Sequence, residues 1–350
     1  MYLTSLTLEN FRSHQKSSFT FDPKINLIIG PNGSGKSNLL ESIFFLAHLK
    51  SFRSSTIREL ISWQQAYSII RATNVFHQNP IQLEIKITSL PLQKKLFIGS
   101  VNKTRKTYIG HLQIVAFQPE DIRLVAGSPT RRRDFLDSVF LQSEWRYHQA
   151  LIQYHKALRH RNELLNLINS GQASSADLFY WDQSLVKNSE IIFHYRQSFI
   201  QYVNSFFKNH SFDKIRSMSL TYRPSTLTSL RLSSSLNLDL STGFTHFGPH
   251  RDDFSFDNSL FGQTDNNVAT WGSRGQQRLA VLALRLAQID YFYRTFQQKP
   301  ILLLDDIFSE LDAEHQKLVI SLTTEFQTIF TSAEKSIKKI LPNAKIISLS

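Results

Sequence analysis

The chain has 350 residues, enough for a sizeable core and for two structural units rather than one. Its 40 Lys and Arg outnumber 28 Asp and Glu, a formal charge of +12 that points to an acidic polymer as partner, although a merely basic soluble enzyme carries the same balance. No cysteine occurs, which excludes disulfides, thiolate zinc sites and a cysteine nucleophile, and the hydrophobic fraction of 41% fits a soluble globular protein.

The opening Met1-Tyr2-Leu3-Thr4 lacks a basic region followed by a long apolar run, so no signal peptide is expected. The most apolar helical stretch, Leu279 to Ala287, is broken by Arg285 and too short for a bilayer, so a cytoplasmic location without membrane contact is the expectation. In chain order, Leu3, Leu6 and Leu8 lie close to a period of two, and a second short strand, Ile25 to Ile29, runs into a Gly-rich turn. A helix then begins near Lys36, with Leu39, Leu40, Ile43, Phe44 and Ala47 at the three-and-four spacing of a buried face. Further strands are predicted at Ile81 to Ile87, Lys95 to Ile98 and Ile114 to Phe117, the last stopping at Gln118-Pro119.

From about Thr130 the texture becomes helical. Tyr147, Leu151, Tyr154, Leu158, Arg161, Leu165 and Ile168 alternate steps of four and three, a heptad seam with one polar member. Leu178, Trp181, Leu185, Asn188, Ile192, Tyr195, Phe199, Tyr202 and Phe206 repeat the pattern after the breaker Asn169 to Ser175, which lets the second helix return antiparallel. Legs of roughly 30 residues reach about 45 Å. Two ordinary helices packed on a main core are the alternative to a hairpin. After Met218 short elements return, among them Phe254-Ser255-Phe256. A helix from near Ser273 then carries Leu279, Leu282, Leu286 and Ile289, and strands follow at Ile301 to Leu304, Thr328 to Phe330 and Ile346 to Ile347.

Gly30-Pro31-Asn32-Gly33-Ser34-Gly35-Lys36-Ser37 matches the Walker A pattern, whose glycines let backbone N–H groups turn inward around phosphate oxygens. Lys36 is placed to reach the β- and γ-phosphates of ATP and Ser37 to bind Mg²⁺; Asn38 continues the loop into the helix. Asp305 and Asp306 follow an apolar strand at its carboxyl end, where open α/β sheets bind ligands. Asp305 is expected to hold Mg²⁺ through water and Asp306 to act as general base. Trp271-Gly272-Ser273-Arg274-Gly275-Gln276-Gln277-Arg278 opens a helix and resembles the ABC signature at Ser273, Gly275 and Gln276, an anion site that faces the γ-phosphate of a second subunit, though a plain helix cap reads the same way. Ser309-Glu310-Leu311-Asp312 matches a D-loop, assigning Ser309 and Asp312 to the same interface. Most of the chain separates Lys36 from Asp305, more than a compact P-loop kinase needs, so an insertion divides one fold.

Three more stretches carry a closer resemblance. They are Phe117-Gln118-Pro119-Glu120-Asp121-Ile122-Arg123-Leu124-Val125-Ala126-Gly127-Ser128-Pro129 running into Arg131-Arg132-Arg133-Asp134-Phe135-Leu136-Asp137, then Arg159-His160-Arg161-Asn162-Glu163-Leu164-Leu165, and Gly248-Pro249-His250-Arg251-Asp252-Asp253. With Asn10-Phe11-Arg12 and the Walker segments they make the chain similar to the RecF family of bacterial recombination-mediator ATPases along essentially its whole length. The resemblance implies ATP-dependent homodimerisation on duplex, gapped or single-stranded DNA, slow hydrolysis, cooperation with RecR and RecO, delivery of the recombinase to gaps and support of SOS induction. It also implies that Arg12 lies beside the nucleotide.

ABC heads commonly place a histidine after the strand that precedes the last one, but here Thr328-Ile329-Phe330 leads into Thr331-Ser332-Ala333 and the switch residue stays unassigned. Gln118 stands at the Q-loop position as a further Mg²⁺ candidate, although Pro119 explains the turn equally well. His250 to Asp253 read as a structural charge network rather than a metal or acid-base site. DNA-contact candidates are Lys94, Lys95, Lys103, Arg105 and Lys106, with Arg53 and Arg58 after the Walker helix; such residues track phosphates without reading sequence. The expected fold is an α/β, two-lobed ABC-type P-loop ATPase head, residues 1–128 and 216–350, with an inserted helical-hairpin arm, residues 129–215. A transporter's ATP-hydrolysing subunit and a nucleotide-switched protein scaffold that never binds DNA are the competing functions.

Overall fold

The computed structural model describes residues 1–54, 56–76, 78–262, 265–309, 316–317, 319–320, 325–334 and 336–349. The chain forms two compact units, Met1–Asp121 with Gln288–Ser350, and Ile122–Ala287. Its N-terminal part runs β1 (Tyr2–Phe11), β2 (His14–Thr20), β3 (Ile25–Ile29), α1 (Lys36–His48), β4 (Tyr67–Phe76), β5 (Asn79–Ser89), β6 (Leu92–Ile98), β7 (Val101–Lys103), α2 (Arg105–Tyr108) and β8 (Ile114–Phe117). The second unit follows with α3 (Arg123–Ala126), α4 (Pro129–Leu141), α5 (Trp145–Asn169), α6 (Phe179–Lys208), α7 (Asp213–Arg216), β9 (Met218–Arg223), α8 (Ser229–Thr242), β10 (Asp253–Asn258) and α9 (Val268–Trp271). Then come α10 (Arg274–Phe296), β11 (Ile301–Asp305), β12 (Thr328–Ser332) and β13 (Lys345–Ser348).

In the first unit an antiparallel sheet in the order β2-β1-β4-β5-β6-β7 and a parallel sheet in the order β13-β3-β12-β11-β8 both pack on α1. Leu39, Leu40, Ile43 and Leu46 of α1 join Leu6, Leu8 and Phe11 of β1, Leu83, Ile85 and Ile87 of β5, and Ile28, Ile114, Leu303 and Ile329 of the parallel sheet in one core. Each such side chain stabilises the fold by about 1.5–3 kcal/mol when fully buried. The three-residue step from Leu3 to Leu6 has a local cause: the β1–β4 register shifts between Leu3 and Ser5, an irregularity that turns both leucines inward.

In the second unit α5 and α6 pack together as the two seams predict, with Tyr147, Tyr154, Arg161 and Leu165 buried on one and Leu185, Asn188, Ile192 and Phe199 on the other. Helix α6 has a broader buried face, including Ser189, Arg196, Val203 and Phe207, because it also packs on β9. The Ser-rich segment after Met218, expected to hold only short elements, forms the 14-residue helix α8 instead. Its leucines, Leu230, Leu232, Leu236, Leu238 and Leu240, mostly fall two apart and mask the helical period. The Thr228 hydroxyl accepts from the Arg231 N–H at its start, and Gly243, at φ 73°, closes its end.

Residues of the motif strings in this unit are held by buried ion pairs. Arg132 holds Asp253 through two hydrogen bonds of 2.6 and 3.0 Å and donates to the Gly127 carbonyl at 2.8 Å, capping α3. Arg196 donates to Asp137 at 2.7 Å, to Asp252 at 2.8 Å and to the Pro249 carbonyl at 2.8 Å. Asp252 also accepts from the Tyr222 hydroxyl at 2.6 Å and the Ser225 N–H at 2.8 Å. Arg161, the polar seam residue, pairs with Asp182 at 2.6 Å and Asp239 at 2.8 Å. His250 lies between the Tyr154 hydroxyl at 2.6 Å and the Thr245 carbonyl at 3.0 Å, and burial pulls its pKa down to about 4. His250 is thus bonded at both ring nitrogens beside the paired Asp252 and Asp253.

Arg196→Met leaves Asp137 and the buried Asp252 without their cation. The expected cost is about 3–5 kcal/mol, read as a lower urea midpoint for the transition that disrupts α5 and α6. An unchanged midpoint contradicts the placement of Arg196 in a buried ion pair with the two aspartates.

Candidate nucleotide site

The Walker loop joins β3 to α1 at the carboxyl edge of the parallel sheet. Gly33 and Gly35 have φ of 86° and 94°, the left-handed region that side chains resist. A Cβ on Gly35 would also stand 2.9 Å from both His14 Nε2 and Ser13 Oγ, so the β1–β2 turn seals this side of the loop. Lys36 is buried, and its Nζ donates to the carbonyls of Gly30 at 2.7 Å and Pro31 at 2.9 Å. The Ser34 hydroxyl is buried without a hydrogen-bond partner, and a Cβ on Gly30 would meet it at 2.5 Å. Pro31, Asn32 and Gly33 are exposed at the tip.

Parallel pairing sets the opposite wall. In the sheet, β12 lies between β3 and β11, and Asp305 pairs with Thr331. Ser37 Oγ donates to Asp305 Oδ1 at 3.2 Å, which brings the two Walker segments together. Thr331 Oγ1 donates to the same carboxylate oxygen at 2.5 Å and accepts from the Asp306 N–H at 3.1 Å. Asp306 itself is left-handed, at φ 46°. Leu304 pairs with Phe117, so Gln118 follows β8 level with Asp305.

Arg12, also left-handed at φ 51°, has all its nitrogens engaged: Nε and Nη2 on the Glu41 carboxylate at 3.0 and 2.8 Å, Nη1 on the Glu59 carbonyl at 2.9 Å, and Nη2 on the Ser54 hydroxyl. Glu41 lies one turn beyond Ser37 on α1, fully buried, and accepts from Ser51 as well. Asn38 donates to Ser13 Oγ at 2.9 Å and accepts from Arg53 at 3.0 Å. The motif reading missed Glu41, His14 and Thr331. An acidic residue within an apolar helix was the available signal for the first; the other two show only once strands are paired.

In the second unit Ser273 caps α10 by exchange with Gln276: its N–H donates to the glutamine Oε1 at 2.8 Å, and its Oγ accepts from the Gln276 N–H at 3.3 Å. Ser273 is exposed, and Gly275 stands in the first turn. The side chain of Ser309 and all of Asp312 lie outside the described residues.

The basic candidates separate. Lys95, Lys106, Arg53 and Arg58 are exposed and Lys103 partly so, whereas Lys94 turns inward. Its Nζ donates to the Leu49 carbonyl at the end of α1 at 2.8 Å and lies 5.3 Å from the Phe45 ring centre. Burial and the neighbouring Arg105 lower its pKa to about 8, and burial lowers that of Arg105 to about 10. Neither is the free surface cation expected of it. On the outer face Lys95 stands directly opposite Lys86, a like-charge pair that the sequence reading missed.

Two sheets clasping a P-loop helix, with the Walker serine and aspartate joined across a parallel sheet, define an ABC-type P-loop ATPase head. The family model for the RecF/RecN/SMC N terminal domain matches residues 2–344. The DNA replication and repair protein RecF of Leptospira interrogans serogroup Icterohaemorrhagiae serovar Lai is 33% identical over 345 residues, covering 95% of this chain and 92% of that protein. Its counterpart in Staphylococcus haemolyticus is 33% identical over 372 residues, covering 100% and 98%. A solved structure of the recombination mediator protein RecF with ATP in the RecFOR pathway superposes with a TM-score of 0.87 at 28% identity, over 99% of this chain and 95% of that one. The Pyrococcus furiosus Smc head domain shares the fold at a TM-score of 0.54 and 18% identity, over 100% and 93%. The chain belongs to the RecF family. Among the described residues no helix is long and apolar enough to cross a membrane.

Lys94 gives this unit a pH dependence. Its pKa falls from 10.5 in the unfolded chain to about 8 in the fold, so between those values the unfolded chain holds more protons and stability rises with pH. Urea midpoints at pH 7.5 and 9.5 should therefore increase for the wild type relative to Lys94→Met. Parallel changes in both proteins contradict the inward placement.

Proposed function

We propose that the chain is an ATP-dependent DNA-binding protein of replication and recombinational gap repair that closes as a homodimer on DNA and hydrolyses ATP slowly, with stimulation by DNA. The observation that carries this reading is the Ser37–Asp305 hydrogen bond of 3.2 Å at the mouth of the Walker loop. The donor set suits the implied ligands. The unpartnered Ser34 hydroxyl and the tight approach at Gly30 form a cradle for phosphate oxygens, and one hydroxyl with one carboxylate is the sparse, hard-oxygen set that Mg²⁺ takes alongside phosphates and water. Ser37 and Asp305 would hold the ion, with Gln118 level with Asp305. When bound, it would supply neutralisation of phosphate charge.

The protein's own groups do the rest. Residues 30–38 wrap the phosphates, and Lys36 exchanges its two loop carbonyls for β- and γ-phosphate oxygens. Asp306 accepts the proton of the water that attacks the γ-phosphorus as the bond to the bridging oxygen breaks. Arg12 stands beside the nucleotide at the end of α1. Ser273, Gly275 and Gln276 meet the γ-phosphate held by a second copy, and Ser309 and Asp312 line the same dimer interface.

In this reading residues 1–128 and 216–350 work as the head and 129–215 as its helical arm. Family relatives named for DNA replication and repair, and a RecF structure described within the RecFOR pathway, support cooperation with RecR and RecO in loading the recombinase at gaps, support of SOS induction and a cytoplasmic site of action. Lys95, Lys103 and Lys106, with Arg53 and Arg58, are the exposed phosphate contacts; Lys94 and Arg105 steady the sheet behind them.

Gel shifts with gapped, duplex and single-stranded DNA, with and without ATP, test the proposal. ATP should tighten binding, because a dimer doubles the phosphate contacts. Changing Lys95, Lys103 and Lys106 together to Ala should flatten the salt dependence on duplex by up to about three units. No DNA binding in either nucleotide state would establish the scaffold alternative instead.

A further inference from the structure

The sequence offers no histidine at the end of the strand between the two Walker strands; it offers Thr331. That residue is 2% exposed and lies in register with Asp305 on one side and Ile28 on the other. Its hydroxyl is shared between the two aspartates: the proton goes to Asp305 Oδ1 at 2.5 Å, and a lone pair takes the Asp306 N–H at 3.1 Å. A threonine that only needed its hydroxyl satisfied would use a nearby backbone carbonyl, as Thr328 does on the same strand with Phe326 at 3.1 Å.

Two consequences follow from the geometry. Asp305 Oδ1 receives both Ser37 and Thr331. If the serine oxygen were to turn to a metal ion, the threonine would continue to fix the carboxylate's rotation. The second concerns the backbone. The strand β11 ends at Asp305, and Asp306 turns to φ 46°, left-handed backbone that aspartate enters more readily than most L-residues and that takes its N–H off the sheet ladder. The threonine oxygen is the acceptor that holds the Asp306 N–H in that turn and so sets the direction in which the second carboxylate leaves the strand.

We propose that Thr331 is the positioning residue of the hydrolytic site: one hydroxyl couples the orientation of the metal-binding Asp305 to that of the general base Asp306. The proposal rests on the ATPase reading above.

The test compares wild type with Thr331→Val, which keeps the shape and β-branch without the hydroxyl, and Thr331→Ser, which keeps the hydroxyl. Two quantities are read: the Mg²⁺ concentration for half-maximal binding of a fluorescent ATP analogue, and the rate of ATP hydrolysis. Thr331→Val should need roughly 10-fold more Mg²⁺ and hydrolyse about 10- to 100-fold more slowly, the range found when a metal ligand loses its outer partner. Thr331→Ser should stay close to wild type in both. A valine variant with the wild-type Mg²⁺ midpoint overturns the proposal, as does a serine variant as impaired as the valine. If the valine variant does not fold, Thr331→Ala enters the same comparison, and an unshifted midpoint there overturns it equally. A wild-type protein that shows no Mg²⁺-dependent nucleotide binding overturns the ATPase reading itself.

Discussion

Helix α1 is clasped between two sheets, and the rest of the nucleotide site depends on that constraint. Ten of its thirteen residues are buried, among them Lys36, Glu41 and His48 as well as the aliphatic set. A charged residue is kept inside such a core only if it is paired, because an unpaired buried charge costs several kcal/mol. Two of the pairings found here serve the loop end of the helix. Lys36 is held by the loop's own carbonyls, and Glu41 draws Arg12 and the β1–β2 turn against the glycines. Lys94 closes the opposite end on the Leu49 carbonyl. The Walker loop is therefore held by the same contacts that build the core.

How much of this was legible in the sequence depended on whether the signal was local. The Walker loop, the strand Ile25–Ile29 before it and the helix beginning at Lys36 follow from residue types at fixed spacing. The paired helices followed from heptad seams. Strand β4 was not foreseen, because its inward positions include Ser68 and Asn74 while Ile69 points outward, so that alternation of apolar and polar residues is blurred. Asn74 is tolerated inside because its side-chain N–H₂ donates to the His111 carbonyl at 2.8 Å, a partner 37 positions away. Helix α8 was hidden by leucines spaced as in a strand. Lys94 read as one of a row of surface cations, and only the register of β5 with β6, which pairs it with Ile87 and Lys95 with Lys86, separates the inward residue from the outward one.

The second unit uses charge differently. Three arginines there, Arg132, Arg161 and Arg196, are buried and bound to aspartates from distant parts of the chain. Arg132 joins the strings around residues 131–137 and 248–253 through Asp253, Arg196 binds Asp137 and Asp252 from those same two strings, and Arg161 of the string 159–165 pairs instead with Asp182 and Asp239. These internal pairs leave much of the chain's excess of basic residues to the surface, where Lys95, Lys103 and Lys106 lie in a stretch of sequence without an acidic residue.

The central claim is that Lys36 is stored inside the loop by two carbonyls and released to a nucleotide. Equilibrium binding of an ATP analogue to Lys36→Met, with the melting temperature recorded alongside, tests it most directly. Because the ammonium is buried and its replacement apolar and of similar length, the fold should be retained with an unchanged or higher melting temperature. Nucleotide affinity should fall by roughly 100-fold, the worth of one or two charge-assisted hydrogen bonds. Wild-type affinity in a folded Lys36→Met protein would contradict the account.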